Sequence, residues 1–220
     1  MKFFFVFYLI FGIIFSQSKI FSVSNGNAKE IIYSSSFWLS GSPAVDPEMK
    51  NRMIFQSGIS SVFKNKNMLQ YPNFTIGLKL SKNFLLTYNA FGFQSGDESP
   101  QILGGGIQWY YGGSDTLNWS TSIQRNDLKG LKKFSLTSLK VDLQKWSLWR
   151  NYRIRFGFGS NFFKQSSIFE NSEFPNSLEG QINYLCFGMK IPISVFHLGI
   201  DSQISMKHSM VTIFLQKPFF

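Results

Sequence analysis

The sequence predicts an all-β fold: an antiparallel transmembrane β-barrel of about ten strands, range eight to twelve, even numbers being usual in bacterial barrels. Three observations carry this. Between Tyr152 and Phe163, Tyr152, Ile154, Phe156, Phe158, Ser160 and Phe162 share one parity, while Arg153, Arg155, Gly157, Gly159 and Asn161 share the other. Side chains of a strand alternate faces, so this segment has one oily face and one polar face. Similar two-faced segments recur along the chain, near the roughly 9–11 residues that a tilted strand needs to cross a bilayer. The chain also opens with Met1-Lys2 and the apolar run Phe3 to Phe15. That run is shorter than the roughly 20 residues of a spanning helix and fits the core of a secretory signal.

Three regions follow. Residues 1–16 form the expected signal peptide, with cleavage after Ser16. Residues 17–30 are polar and expected to be flexible, and residues 31–220 are expected to form the barrel. The implied location is the bacterial outer membrane, reached by export through the cleaved signal.

Element by element, Ile31 to Leu39 reads as a strand, and Gly41 to Pro47 as a loop from its glycine and prolines. Met53 to Phe63 is a strand, and Lys64 to Pro72 a polar loop. Phe74, Ile76, Leu78 and Leu80 alternate with Thr75, Gly77 and Lys79, then turn at Ser81-Lys82-Asn83 into Phe84 to Gln94. Ile102 to Tyr111 follows, with Gly104-Gly105-Gly106 marking a bulge, a bend or a close backbone approach. Leu117, Trp119, Thr121 and Ile123 alternate with Asn118, Ser120, Ser122 and Gln124. Phe134 to Trp146 sets Leu139, Val141 and Leu143 against Lys140, Asp142 and Gln144. After Tyr152 to Phe163, Lys164 to Ser177 reads as a long loop. The strands Gln181 to Ile191, Ser194 to Ser205 and Ser209 to Gln216 close the chain, the first two joined at Ile191-Pro192-Ile193.

The competing architecture is a secreted β-sandwich, which also alternates polar and apolar residues. The polar face here is often Gly, Ser, Asn and Gln, which suits a crowded lumen better than an open solvent face. The 26 Phe residues suit a surface facing oil. Trp109, Tyr110, Tyr111, Trp119, Trp146, Trp149 and Tyr152 lie near strand ends and are the candidate aromatic girdle at a membrane interface.

The net charge is +10. The basic residues are scattered, with no run or helix face of the kind that binds nucleic acid, so no nucleic-acid partner is expected. Lipid of the outer membrane is the expected partner of the exterior. The lone Cys186 precludes an intramolecular disulfide, and two histidines without a Cys/His cluster give no metal site. No cofactor is expected.

No catalytic constellation emerges. His197 and Asp201 share a parity but stand about 13 Å apart along a strand, at about 3.3 Å per residue. His208 and Ser209 face opposite sides. The chain is therefore read as not an enzyme.

The chemistry-bearing candidates are Lys140, Asp142, Arg153 and Arg155. Arginine on the lipid face costs about 2–4 kcal/mol at mid-bilayer, so Arg153 and Arg155 are expected to point inward. There they meet Lys140 and Asp142 of the preceding strand, either as an anion-selecting cluster or as an internal salt-bridge plug. Lys79, Lys190 and Asp201 are expected in the same interior.

With these residues in view, the chain resembles small outer-membrane barrels of diderm bacteria. Ser36-Phe37-Trp38 followed by Ser42-Pro43-Ala44, with the Phe-rich strands, is similar to barrels of the type IX secretion system and to the related long-chain fatty-acid transporter-like porins. Those families carry an Asn-Pro-Ala motif after an aromatic near the N-terminus, where Ser42 replaces the Asn here. The resemblance implies a barrel that is an accessory or scaffold subunit of a secretion or surface-assembly system, with secretion-machinery proteins as partners. Its alternative is a pore or transporter for a small or hydrophobic solute.

Overall fold

In the computed structural model, the described residues are 21, 27–64, 67–113, 116–169 and 173–219. The expected signal peptide lies outside them. Ten strands close into one antiparallel barrel: β1 (Met53–Lys64), β2 (Asn67–Lys79), β3 (Phe84–Gly92), β4 (Gln101–Gly112), β5 (Leu117–Lys129), β6 (Phe134–Trp149), β7 (Tyr152–Ser167), β8 (Ser177–Ile193), β9 (Phe196–Ile204) and β10 (Ser209–Phe219). Each strand pairs with its sequence neighbour, and β1 pairs with β10 to close the ring. Closure overturns the sandwich alternative, because no sheet edge is left to form two layers.

The exterior is apolar. Leu103, Ile107, Ile123, Phe156, Phe158, Leu185, Phe187 and Ile213 are all exposed. The inward face of the same strands carries buried Gln56, Thr75, Gln124, Lys140, Asp142, Gln144, Arg155, Asp201 and Gln203. Oil outside and polarity inside is the surface of a membrane-spanning barrel. One end has the turns at 80–83, 150–151 and 194–195; the other carries the two longest connections, from β3 to β4 and from β7 to β8. Short turns face the periplasm in barrels of this type, so the first is the periplasmic end.

Four segments differ from the sequence reading. Ile31 to Leu39 is not a strand but belongs to helix α1 (Ala28–Leu39), which lies inside the barrel. Asn27 caps it, its side chain accepting from the Lys29 N–H at 3.0 Å, and Glu30 sits in the first turn. The aromatic and β-branched residues that suggested a strand are tolerated because the barrel interior packs them on every side. Residues 17–30 are also not uniformly loose: Phe21 is buried, and Ala28 to Glu30 form the first turn of α1.

The expected loop at Lys64 to Pro72 is instead mostly strand, Asn67 to Pro72 pairing with Ile59 to Lys64 of β1. Proline survives within β2 because the β2–β3 ladder covers only Ile76–Lys79 against Leu85–Tyr88. Above it, Pro72 has no β3 partner to which an N–H would donate. The joint expected at Ile191-Pro192-Ile193 is the end of β8, and the chain turns at Ser194, which takes φ 56°.

Candidate functional site in the barrel lumen

The lumen is filled by the chain's own residues 28–52. α1 occupies the loop end. There Ile31, Ile32, Phe37, Trp38 and Leu39 pack with inward-facing Tyr71, Ile102, Leu128, Leu136, Phe163 and Tyr184. This chamber is a hydrophobic core enclosed by a barrel, which the expectation of a polar lumen did not include. Residues 40–52 then run towards the periplasmic end and enter β1 there. Val45 and Met49 make a second, smaller apolar cluster with Ile54, Leu85 and Tyr110.

Wall side chains satisfy carbonyls in the last turn of α1 and the extended backbone that follows it, which has no ladder of its own. Asn161 Nδ2 donates to Ser36 O at 2.7 Å, and Asn126 Nδ2 to Leu39 O at 2.6 Å. Lys140 Nζ donates to Ser42 O at 2.9 Å. Gln108 grips Val45 from both sides, donating to its carbonyl at 2.9 Å and accepting from its N–H at 3.1 Å. The Tyr110 hydroxyl adds a third bond, to Val45 O at 3.1 Å. The amide-rich inward face of the strands is thus the docking surface of the plug.

The charges are arranged in pairs. Asp46, on the plug, accepts from Arg153 Nε and Nη2 at 3.0 and 2.9 Å and lies 3.1 Å from Lys190 Nζ. Arg153 also reaches Glu48 at 3.0 Å. Lys140 lies 3.3 Å from Asp142, and Ser122 donates to the same carboxylate at 2.8 Å. Arg155 contacts Asp201 at 2.7 Å and donates to Gln144 at 2.9 Å. The first contact is one of charge, without an aligned hydrogen bond to Asp201 Oδ1. Buried ions need such partners, because desolvation otherwise costs several kcal/mol per ion.

The register explains the reach of Arg155. Arg155 pairs with Gly188 on β8, and Gly188 pairs with Asp201 on β9. A Cβ at Gly188 would stand 2.5 Å from Arg155 Nε and 2.8 Å from Asp201 Oδ1. The missing side chain is what lets an ion pair cross an intervening strand.

All four candidate lumen residues therefore face the interior, but not as one cluster. Lys140 pairs with Asp142, while Arg153 and Arg155 turn to Asp46 and Asp201. Asp46 was not among the candidates; its position in a Gly/Pro loop gave no sign that it enters the lumen.

The aromatic set divides by parity. Trp109, Tyr111, Trp119, Trp149 and Tyr152 take the outward parity near the periplasmic end, where Phe84 stacks on Trp109 at 6.1 Å. Tyr110 and Trp146 do not join them, because their parity turns them inward and buries them. Trp146 donates to Ser120 Oγ at 2.9 Å, and Arg155 lies 5.5 Å over its ring.

The histidines lie at opposite ends of the barrel. His208 is buried and stacks on Tyr33, with ring centroids 6.1 Å apart. His197 pairs with Pro192 and Gln216 in the ladders near the periplasmic end. Asp201, four residues further along the strand, is engaged by Arg155. Cys186 is a buried lumen-facing side chain. Among the described residues no group of His, Cys, Asp and Glu could hold a metal ion.

No family model and no curated protein matches the chain. Solved structures of bacterial proteins match it at TM-scores below 0.5. The translocator domain of the autotransporter NalP from Neisseria meningitidis is 10% identical, with 87% of this chain and 94% of that chain covered and a TM-score of 0.43. Omp33, an outer membrane protein of Acinetobacter baumannii, is 11% identical, with 77% and 98% covered and a TM-score of 0.36. Ail, the attachment invasion locus protein of Yersinia pestis, is 13% identical, with 77% and 98% covered and a TM-score of 0.29.

Proposed function

We propose that the protein is a non-enzymatic outer-membrane barrel that serves as an accessory or scaffold subunit of a secretion or surface-assembly system, its lumen closed by residues 28–52. The observation that carries this is the plug: its backbone is bonded to the wall and Asp46 is pinned by Arg153 and Lys190. A barrel sealed in this way offers surfaces rather than a passage. The resemblance of Ser42-Pro43-Ala44 to the Asn-Pro-Ala motif of type IX secretion barrels supports the same reading. That tripeptide lies in the middle of the plug, against Lys140 and Gln124. The test is to extract the protein gently from outer membranes, measure its native mass, and record conductance in planar bilayers. A mass well above one chain with no steady conductance is expected. A single chain with steady conductance would contradict it.

One observation favours a second reading, a gated conduit for anions. Arg153 and Lys190 belong to the wall, while Asp46 belongs to the plug. Departure of the plug would leave those two cations facing the lumen, which favours anions. Anion-selective openings on removal of residues 28–46, which takes Asp46 away with the plug, would support it.

A further inference from the structure

The deeply buried cations Lys140, Arg155 and Lys190 each have a carboxylate, whereas the more exposed cations of the periplasmic mouth do not. A cavity of about 610 Å³ opens there between the end of the plug, the β2–β3 turn and the start of β5. Lys50, Arg52, Lys79 and Lys82 line it. Its one acidic neighbour, Glu48, is turned towards Arg153 at 3.0 Å. Among the described residues none of the four cations makes an ion pair. Lys79 is fixed by the carbonyls of Pro47 and Met49 at 2.8 and 2.6 Å, and the other three are exposed. Like charges converging on one cleft repel each other and raise the local concentration of an anion.

The outer rim of the cavity is oily. Leu80 lines it and is 60% exposed, and Leu78, on the same outward parity, is 45% exposed. Phe84 and Trp109 stack on the exterior just beyond the turn, at the level where interfacial aromatics sit. A basic cleft that continues into a lipid-facing apolar strip at the headgroup level has the form of a lipid site. Guanidinium and ammonium groups together suit a phosphodiester, Arg as a fork and Lys as a point charge.

We propose that this cleft binds the phosphate headgroup of an anionic glycerophospholipid of the periplasmic leaflet, with an acyl chain laid along Leu78 and Leu80. The site does not depend on the scaffold reading.

The test uses the full protein in nanodiscs that mix phosphatidylglycerol with phosphatidylcholine, followed by native mass spectrometry of the lipid retained on release. Selective retention of phosphatidylglycerol is expected, unaffected by millimolar inorganic phosphate. Arg52→Gln with Lys82→Gln should weaken retention roughly tenfold or more, since each basic residue near an anionic surface contributes about 1 kcal/mol. Both side chains are exposed, so heat-modifiable migration should stay intact, and the charge-keeping pair Arg52→Lys with Lys82→Arg should restore retention. Equal retention of the two lipids, or unchanged retention in the neutral double variant, would overturn the proposal. Competition by inorganic phosphate would assign the site to a free anion instead. Capture of an acidic polypeptide through Arg52 and Lys82, without lipid preference, would make it a protein-docking surface and also overturn it.

Discussion

Arg153 and Asp46 form a two-point contact, Nε to Oδ2 at 3.0 Å and Nη2 to Oδ1 at 2.9 Å, across 107 positions of sequence. One residue is wall and the other plug, and Lys190 reaches the same carboxylate from β8. Asp46→Asn would leave two cations facing a neutral amide near the periplasmic end. Breaking a buried pair on one side costs about 3–5 kcal/mol. Thermal unfolding in detergent should fall accordingly, and transient conductance should appear as residues 40–52 loosen. An unchanged melting temperature would show that Asp46 does not hold the plug.

Gly188→Ala tests the ion pair that crosses β8. Its Cβ would intrude on both Arg155 and Asp201, at 2.5 and 2.8 Å. Overpacking of this kind costs about 1–3 kcal/mol. A clear loss of stability is expected. The same change at Gly113, where a Cβ meets nothing within 4 Å, should be neutral.

Trp38 connects α1 to the weakest stretch of the wall. Its ring stacks on Tyr71 at 4.6 Å, and Nε1 donates to Pro72 O at 3.1 Å. The indole thus supplies a donor to β2 above the point where its ladder with β3 stops. Trp38→Phe keeps most of the packing but leaves a buried carbonyl without its donor, at about 1–3 kcal/mol. Trp38→Ala should cost about 3–5 kcal/mol. Hydrogen exchange of residues 69–75 should rise in both variants, more in the second.

The lipid face can be separated from the lumen by a single residue step. Leu185 is 67% exposed, between the inward-facing Tyr184 and Cys186. Leu185→Arg should destabilise the barrel in bilayers by about 2–4 kcal/mol if it lies near the midplane. In a soluble barrel the same exposed substitution would be close to neutral. Folding titrations in lipid vesicles distinguish the two.

Much of the wall was legible because alternation is local. Phe156, Phe158 and Phe162 mark the outside of β7, and Arg155 and Asn161 its inside, with no need to know any neighbour. The same rule, applied residue by residue, would have turned Tyr110 and Trp146 inward; grouping them with adjacent aromatics obscured it. Helix α1 also left a signal. Asn27 followed by Glu30 is a start signature, and Ile31, Ile32, Trp38 and Leu39 fall on helical spacing. The plug contacts were not legible, because Asp46 meets Arg153 and Lys190 only after the barrel has closed. Nor was the apolar chamber, since inward-facing Leu128 and Leu136 read as core only once α1 lies beside them.

The most direct test of a plugged lumen is a thiol-bridging measurement in native outer membranes. In a Cys186→Ala background, Ser42→Cys and Asn89→Cys place one thiol on the plug and one on the wall, where the native side chains approach to 3.3 Å. Ser60→Cys with Thr212→Cys, whose native hydroxyls are 2.6 Å apart on adjacent strands, reports on the wall alone. A short bis-methanethiosulfonate, whose two ends each form a disulfide with a protein thiol and expel methanesulfinate, should bridge both pairs and give each a shifted band on denaturing gels. Bridging of the wall pair without the Ser42–Asn89 pair would show that residues 40–52 lie outside the barrel and that the lumen is open.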